Sequence, residues 1–381
     1  MSDAPRPPIQ PAIEALSHAQ RAALRHIGVQ ATGAGPRARA ALSRLLCETG
    51  ASRTSLDDAR ERLQAHARVV LHFHPDRLNA TGRSVADHLL QDGSYRNQFE
   101  TGLSNGSLSA FKGGDRDLWE AELFGGAYQT HDVVAADRPK YGALDFLRYA
   151  DGPAPRFGSC YLVLRPSIAD RCTFTLGDSH QPTGHVAIRD AMDGVVLGLL
   201  TMVASGQWDF GIPRLTVPDL LDRLSHGLGP TLPDPAEQAV GRLLDHYIEA
   251  QIHGPVDLRS DAEMLVADPA FQGTPTGESL QAACSRHGIA LRWHPGFVLP
   301  VNSVSGTFRG PAMPLLAARI AEKGLIDAAI IGKAAASLRR QPERWRDWGT
   351  YDETLQHLKQ LWHVLVHQGM PAPKAQRETR R

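Results

Sequence analysis

From about Ile13 to His66, apolar residues recur at spacings of three and four in ALSHAQRAALRHI, PRARAALSRLLCET and SLDDARERLQAHA. This period predicts two or three amphipathic helices. Ser55, just before LDDAR, fits an N-cap. The register then changes. ARVVLHFHPDR reads as a short apolar strand ending in a turn, and SVADHLLQDG as a helix closed by Gly93. RFGSCYLVLRP and RCTFTLGD read as strands, while residues 186–204, VPDLLDRLSHGLG and DPAEQAVGRLLDHY read as helices. VDLRSDAEMLVADPAF suggests a turn, a short helix and a strand. Beyond Gly273 come a helix at GESLQAACSRHG, a strand at IALRWHPGFVL, and helices around 311–339 and 351–368.

Two stretches break the ordinary patterns. In HYIEAQIHGP a period of two puts Tyr247, Glu249, Gln251 and His253 on one side of a strand, and Ile248, Ala250 and Ile252 on the other. The polar side carries no Lys or Arg, so it reads either as a wet sheet face or as the wall of a cleft. Residues Ser94 to Pro155 are rich in Gly, Ser, Asp and aromatics and show little periodicity. So long an irregular stretch in a compact domain points to function, and its aromatics argue against disorder. The proline-rich residues 1–11 and the basic end PAPKAQRETRR read as loose. An α+β chain in three parts results: a helical segment over 1–66, a domain of mixed strands over 67–271, and a mostly helical section over 272–381.

Composition narrows the function classes. Lys+Arg and Asp+Glu both number 41, so no global field draws the chain to nucleic acid or an acidic membrane. Cys47, Cys160, Cys172 and Cys284 form no CxxC pair, which argues against a disulfide framework or a cysteine zinc site. The first residues show no basic region followed by an apolar one, and no apolar run is long enough to span a bilayer. A cytoplasmic protein without a membrane partner is expected.

Four pieces carry candidate chemistry. His72 and His74 share a strand face in VVLHFHPDR, which equally fits an edge strand with two solvated histidines. LFGGAY ends in Tyr128 after two glycines that permit positive φ or close approach, and a tight turn beside a packed ring explains it as well. Tyr141 follows a proline turn in DRPKYGAL, where an aromatic either packs or stacks a flat heterocycle. Glu249, between Tyr247 and Gln251, sits on a short strand that stops at a Gly-Pro, as at a cleft edge.

In this order the pieces resemble the ADP-ribosyltransferase superfamily, in its His-Tyr-Glu branch. The resemblance implies a split mixed β-sheet core, with NAD as substrate. It assigns ribose binding to His74 or His72, framing of the nicotinamide to Tyr128, stacking to Tyr141, and the catalytic carboxylate to Glu249, with Gln251 beside it. Cleavage of the ribose–nicotinamide bond passes through an oxocarbenium-like cation, which a carboxylate stabilises, and no metal is needed. The acceptor of ADP-ribose (protein, nucleic acid, small molecule or water) stays open. HPDR stands where the family carries HG[TS], and Tyr247 stands where arginine-modifying members carry a second Glu, so arginine is not supported as acceptor. Residues 67–271 also look like a bacterial family known only as a domain of unknown function.

Two other readings compete. His72 and His74 in HFHPD resemble the HxH of metal-dependent hydrolases, with further ligands drawn from His131, Asp132, Asp178, His180, His253 or Asp261, although no second HxH or HExxH exists. A non-catalytic binding module, docking through its terminal helices, is the third.

Overall fold

A computed structural model describes residues 15–103, 110–180 and 184–372. The proline-rich start, SNGSLS at 104–109 and most of the basic end, all part of the sequence reading, lie outside the described residues.

Ser17 opens α1 (His18–Thr49) with a reciprocal cap: its hydroxyl accepts the Gln20 N–H, and the Gln20 side chain accepts the Ser17 N–H. α1 continues through Pro36, so the region forms two helices, the lower of the two expected numbers. Ala31, Ala38, Leu42 and Leu46 are buried along one side, and that packing outweighs the missing backbone donor. α2 (Arg53–His66) starts from Ser52, three residues before the expected cap, because the Ser52 hydroxyl takes the Ser55 N–H at 2.9 Å.

β1 (Arg68–Phe73) and α3 (Val85–Asp92) follow, the latter closed by Gly93 at φ 64°. The stretch without periodicity supplies β2 (Ser94–Tyr95), α4 (Gln98–Thr101), α5 (Asp115–Leu123) and β3 (Lys140–Asp145). Next come β4 (Cys160–Leu164), β5 (Cys172–Leu176), β6 (Val186–Ile188), α6 (Asp193–Ala204) and α7 (Val217–Gly227). After β7 (Ile248–Ile252) the chain makes β8 (Val256–Asp257), α8 (Leu258–Asp261) and β9 (Ala262–Ala267). α9 (Pro275–His287), β10 (Ala290–Trp293), β11 (Val298–Pro300), α10 (Ala312–Ile320), β12 (Leu325–Asp327), α11 (Ala328–Arg340) and α12 (Tyr351–Gln368) complete it.

Three expectations need correction. DPAEQAVGRLLDHY forms a single 3₁₀ turn over Pro235–Glu237 and then irregular chain. The buried Asp151 carboxylate accepts the N–H groups of Gly241 and Arg242 at 2.6 and 2.8 Å, a tertiary bond that replaces a helical one. Residues 186–188 join the sheet before the helix begins at Asp193, and the strand expected in IALRWHPGFVL is cut in two between Trp293 and Val298.

Eight strands form one mixed sheet in the order β10-β9-β4-β1-β3-β7-β5-β6, joined throughout by antiparallel pairs except β9 with β10. The fold is α+β, with this mixed sheet of eight strands and two further two-stranded sheets, β11-β12 and β2-β8. The register of the large sheet separates two faces. Val69, Leu71, Phe73, Leu162, Phe174 and Ile248 enter the main apolar core, together with Leu42 and Leu46 of α1, Leu63 of α2 and Leu361 of α12. All three parts of the chain therefore share one core. Each such side chain contributes roughly 1.5–3 kcal/mol on burial. The other face carries His72, Tyr161, Tyr141, Glu249 and Gln251, because Val70 pairs with Ala143, Ala143 with Glu249 and Tyr141 with Gln251.

Candidate functional site

That second face is the floor of a cleft of about 960 Å³. Its lining includes Glu249 from β7, Tyr141 from β3, His72 from β1, and Arg116 and Trp119 from α5. Asp178 and His180 come from the loop after β5, Arg156 and Phe157 precede β4, and Gln356 and Lys359 belong to α12. The polar side of HYIEAQIHGP is thus a cleft wall in part and a buried seam for the rest: Tyr247, Glu249, Gln251 and His253 are all buried.

Glu249 is 5% exposed. Burial raises its carboxyl from 4.5 to about 7, the Asp178 carboxylate pushes the same way, and hydrogen bonding from Gln251 and the charge of Arg116 oppose. Its orientation comes from a chain of polar groups. Gln251 Nε2 donates to Glu249 Oε1 at 2.9 Å and to Thr175 Oγ1 at 3.0 Å. The Thr173 hydroxyl donates to Gln251 Oε1 at 2.8 Å. With that proton committed, His253 Nε2 donates to Thr173 Oγ1 at 3.1 Å, and His253 Nδ1 accepts from the Tyr128 hydroxyl at 2.5 Å. Burial lowers His253 to about 3, so the ring is neutral and carries the single proton this direction requires. Every donor and acceptor runs one way, which fixes the carboxylate from beneath.

Tyr141 is held from the side. Its hydroxyl donates to Glu120 Oε1 at 2.8 Å, while Glu120 Oε2 accepts from Arg138 at 2.8 Å and Arg138 also pairs with Asp117. The guanidinium of Arg116 lies 4.7 Å from the Tyr141 ring centre and 4.3 Å from that of Trp119. The wall beside the carboxylate is therefore two aromatic rings with a cation between them.

The sequence candidates part company here. His72, Tyr141 and Glu249 meet at the cleft, with Gln251 beneath. His72 lines it but has no free ring nitrogen: Nδ1 lies 3.3 Å from the Gly158 carbonyl oxygen, and Nε2 accepts the Ala154 N–H at 3.3 Å. Burial lowers it to about 3, so it pins the 154–158 turn as a neutral ring. His74 is outside the lining, buried edge-on to Trp362 at 5.3 Å. Tyr128 is also outside, fully buried beneath α1 with Phe124 and Ile27. Gly125 and Gly126 before it do take positive φ, 60° and 77°, and a side chain at Gly125 would meet His26 of α1 at 2.5 Å. Gly125 thus serves the packing of α1.

Of the candidate metal ligands, Asp178 and His180 line the cleft with His72, and the others lie elsewhere. His253 is inside the polar chain, Asp261 pairs with Arg171, and His131 and Asp132 are exposed. Among the described residues no group of three or more His, Cys, Asp or Glu side chains is placed to hold a metal ion. Sequence reasoning missed Arg116, Trp119 and Lys359, and named Asp178 only as a possible metal ligand. Helix DRDLWEAEL, with Trp119 among charges, was the one signal available for the first two.

An α+β protein with a carboxylate set in an aromatic and cationic cleft is the class that fold and site define. The chain belongs to the family described as "Protein of unknown function (DUF3626)", whose model matches residues 68–368. It is similar to the Gene 2 protein of Mycobacterium phage D29, 31% identical over 147 residues, which are 38% of this chain and 47% of that protein. The chain thus spans about half the length of this curated relative, and neither name states a reaction. No helix among the described residues is long and apolar enough to cross a membrane.

Proposed function

We propose that the cleft binds NAD and that Glu249 promotes cleavage of its nicotinamide–ribose bond, with transfer of ADP-ribose to an acceptor or to water. The observation that carries this reading is the Glu249 carboxylate, held by Gln251 in the cleft floor within reach of the Arg116 charge and close to the aromatic wall. As the bond breaks, its electron pair moves to the nicotinamide nitrogen and positive charge develops on the ribose. An ionised, preoriented carboxylate stabilises that charge without reorganising. An acceptor oxygen or nitrogen then bonds to the ribose carbon and gives up its proton. The Tyr141–Arg116–Trp119 wall supplies flat surface for a base or for the departing ring. His72, with both nitrogens occupied, and His74 and Tyr128, outside the lining, have no contact role, so the reading rests on the carboxylate.

Purified protein mixed with NAD should release nicotinamide, at a rate rising with pH through about 7 as Glu249 loses its proton. Glu249→Gln should lower the rate about 100-fold or more while leaving the far-ultraviolet circular dichroism spectrum unchanged. Wild-type protein that neither binds NAD nor releases nicotinamide, or a Glu249→Gln variant with the wild-type rate, would refute the proposal.

A further inference from the structure

Lys359 stands where two cavities meet. It lines the main cleft with Arg156 and Gln356, and a smaller cavity of about 250 Å³ with Arg77 and Arg339. Lys359 comes from α12, Arg156 from the turn before β4 and Arg77 from the turn after β1. The fold therefore gathers cations from distant parts of the chain.

The carboxylates of the two cavities, Asp352 in the smaller one among them, form no ion pair with Lys359 or Arg77 among the described residues. Among the described residues the charged ends of Lys359 and Arg77 make no hydrogen bond and no ion pair, and Arg77 Nη1 is buried without a partner. Arg156 is 18% exposed and pairs at 2.5 Å with Asp245, which is 56% exposed and also lies 3.6 Å from Arg309. Asp178 acts on Lys359 only from beyond ion-pair range, and Asp76 beside Arg77 is itself raised by burial to about 6. Burial lowers the Lys359 ammonium to about 8, and the charges of Arg156, Arg309 and Arg77 press it the same way. A solvated cationic face would be cheap. Half-buried, mutually repelling cations around a void are costly unless an anion completes them.

We propose that Arg77, Arg156 and Lys359 form a phosphate-binding subsite at the junction of the two cavities, taking the phosphate or diphosphate group of a phosphorylated ligand. Two guanidinium forks and one compact ammonium suit a tetrahedral, multiply charged oxyanion better than a single carboxylate. The phosphate comes either from a dinucleotide in the main cleft or from a phosphorylated acceptor entering by the smaller cavity. The subsite goes beyond the NAD reading and stands without it.

The test is calorimetric titration of the full chain with inorganic pyrophosphate. Wild type should bind it, more weakly as NaCl rises. Lys359→Met and Arg77→Gln should each weaken binding about tenfold or more, the loss of one charge-assisted hydrogen bond. Lys359→Arg, which keeps the charge, should retain most of it, and an unchanged circular dichroism spectrum and unfolding midpoint for Lys359→Met separate its loss from misfolding. A parallel titration separates the sources. If the phosphate belongs to NAD, Lys359→Met weakens NAD and spares nicotinamide riboside, which has no phosphate. If it belongs to an acceptor, NAD affinity is unchanged while pyrophosphate affinity still falls. Pyrophosphate bound in a Lys359-dependent way by a protein that does not bind NAD keeps the subsite and removes only the NAD reading. Wild type that does not bind pyrophosphate at millimolar concentration, or binds it equally after both substitutions, overturns the subsite.

Discussion

Replacing Glu249 by glutamine should stabilise the protein above neutral pH, even as it removes the proposed catalytic group. The carboxyl goes from 4.5 in the unfolded chain to about 7 in the fold. Between those values the native state binds the extra proton, so its stability falls as pH rises and the charge must be buried. The full shift corresponds to about 3 kcal/mol, of which roughly 2–3 kcal/mol develops between pH 5 and pH 8. The substituted amide has no such proton to lose, and it keeps a hydrogen-bonding oxygen for Gln251. Groups that titrate in both proteins cancel in the difference, while the repulsion from Asp178 vanishes with the carboxylate. Guanidinium unfolding followed by tryptophan fluorescence should therefore place the Glu249→Gln midpoint above wild type at pH 8, by on the order of 0.5 M, with the gap narrowing toward pH 5. A difference independent of pH would refute the buried, raised carboxyl, and the rising rate profile would lose its assigned group.

Tyr128→Phe removes the donor to His253 Nδ1 and should cost about 1–3 kcal/mol in unfolding experiments, with NAD affinity unchanged because the ring is outside the cleft. Tyr141→Ala strips the ring over which Arg116 lies and should weaken NAD about tenfold in a fluorescence titration, clearly more than Tyr128→Phe; equal and negligible effects would end its assignment as a stacking surface. Gly158→Ala would set a methyl group 2.2–2.4 Å from backbone atoms of Phe73, so the turn that His72 pins must shift; a loss of about 2 kcal/mol or more in unfolding free energy is expected.

How much was legible in the sequence differs between fold and site. The strands around His72, Cys160, Cys172 and Glu249 and the C-terminal helices were readable because local periodicity is what creates them. The DPAEQAVGRLLDHY helix was not, since Asp151, some ninety residues away, takes the backbone donors of Gly241 and Arg242. Likewise Tyr128 and Tyr141 stand in similar aromatic contexts along the chain. Only packing separates them: α1 covers the first, whereas the second faces the open side of β3.

By itself the sequence determined that β7 and the residues flanking it would carry a polar side of Tyr247, Glu249, Gln251 and His253, because alternation is a local consequence of strand geometry. The tertiary structure alone decided what that side does. Sheet register set Gln251 beside Thr173, so the Thr173 hydroxyl and the Gln251 amide became part of one directed chain ending on Glu249. It also brought Arg116, Asp178 and Lys359 from three distant segments to the same void. Charge balance over the whole chain is zero, yet the field inside the cleft depends on which few charges meet there, and that depends on long-range packing rather than on composition.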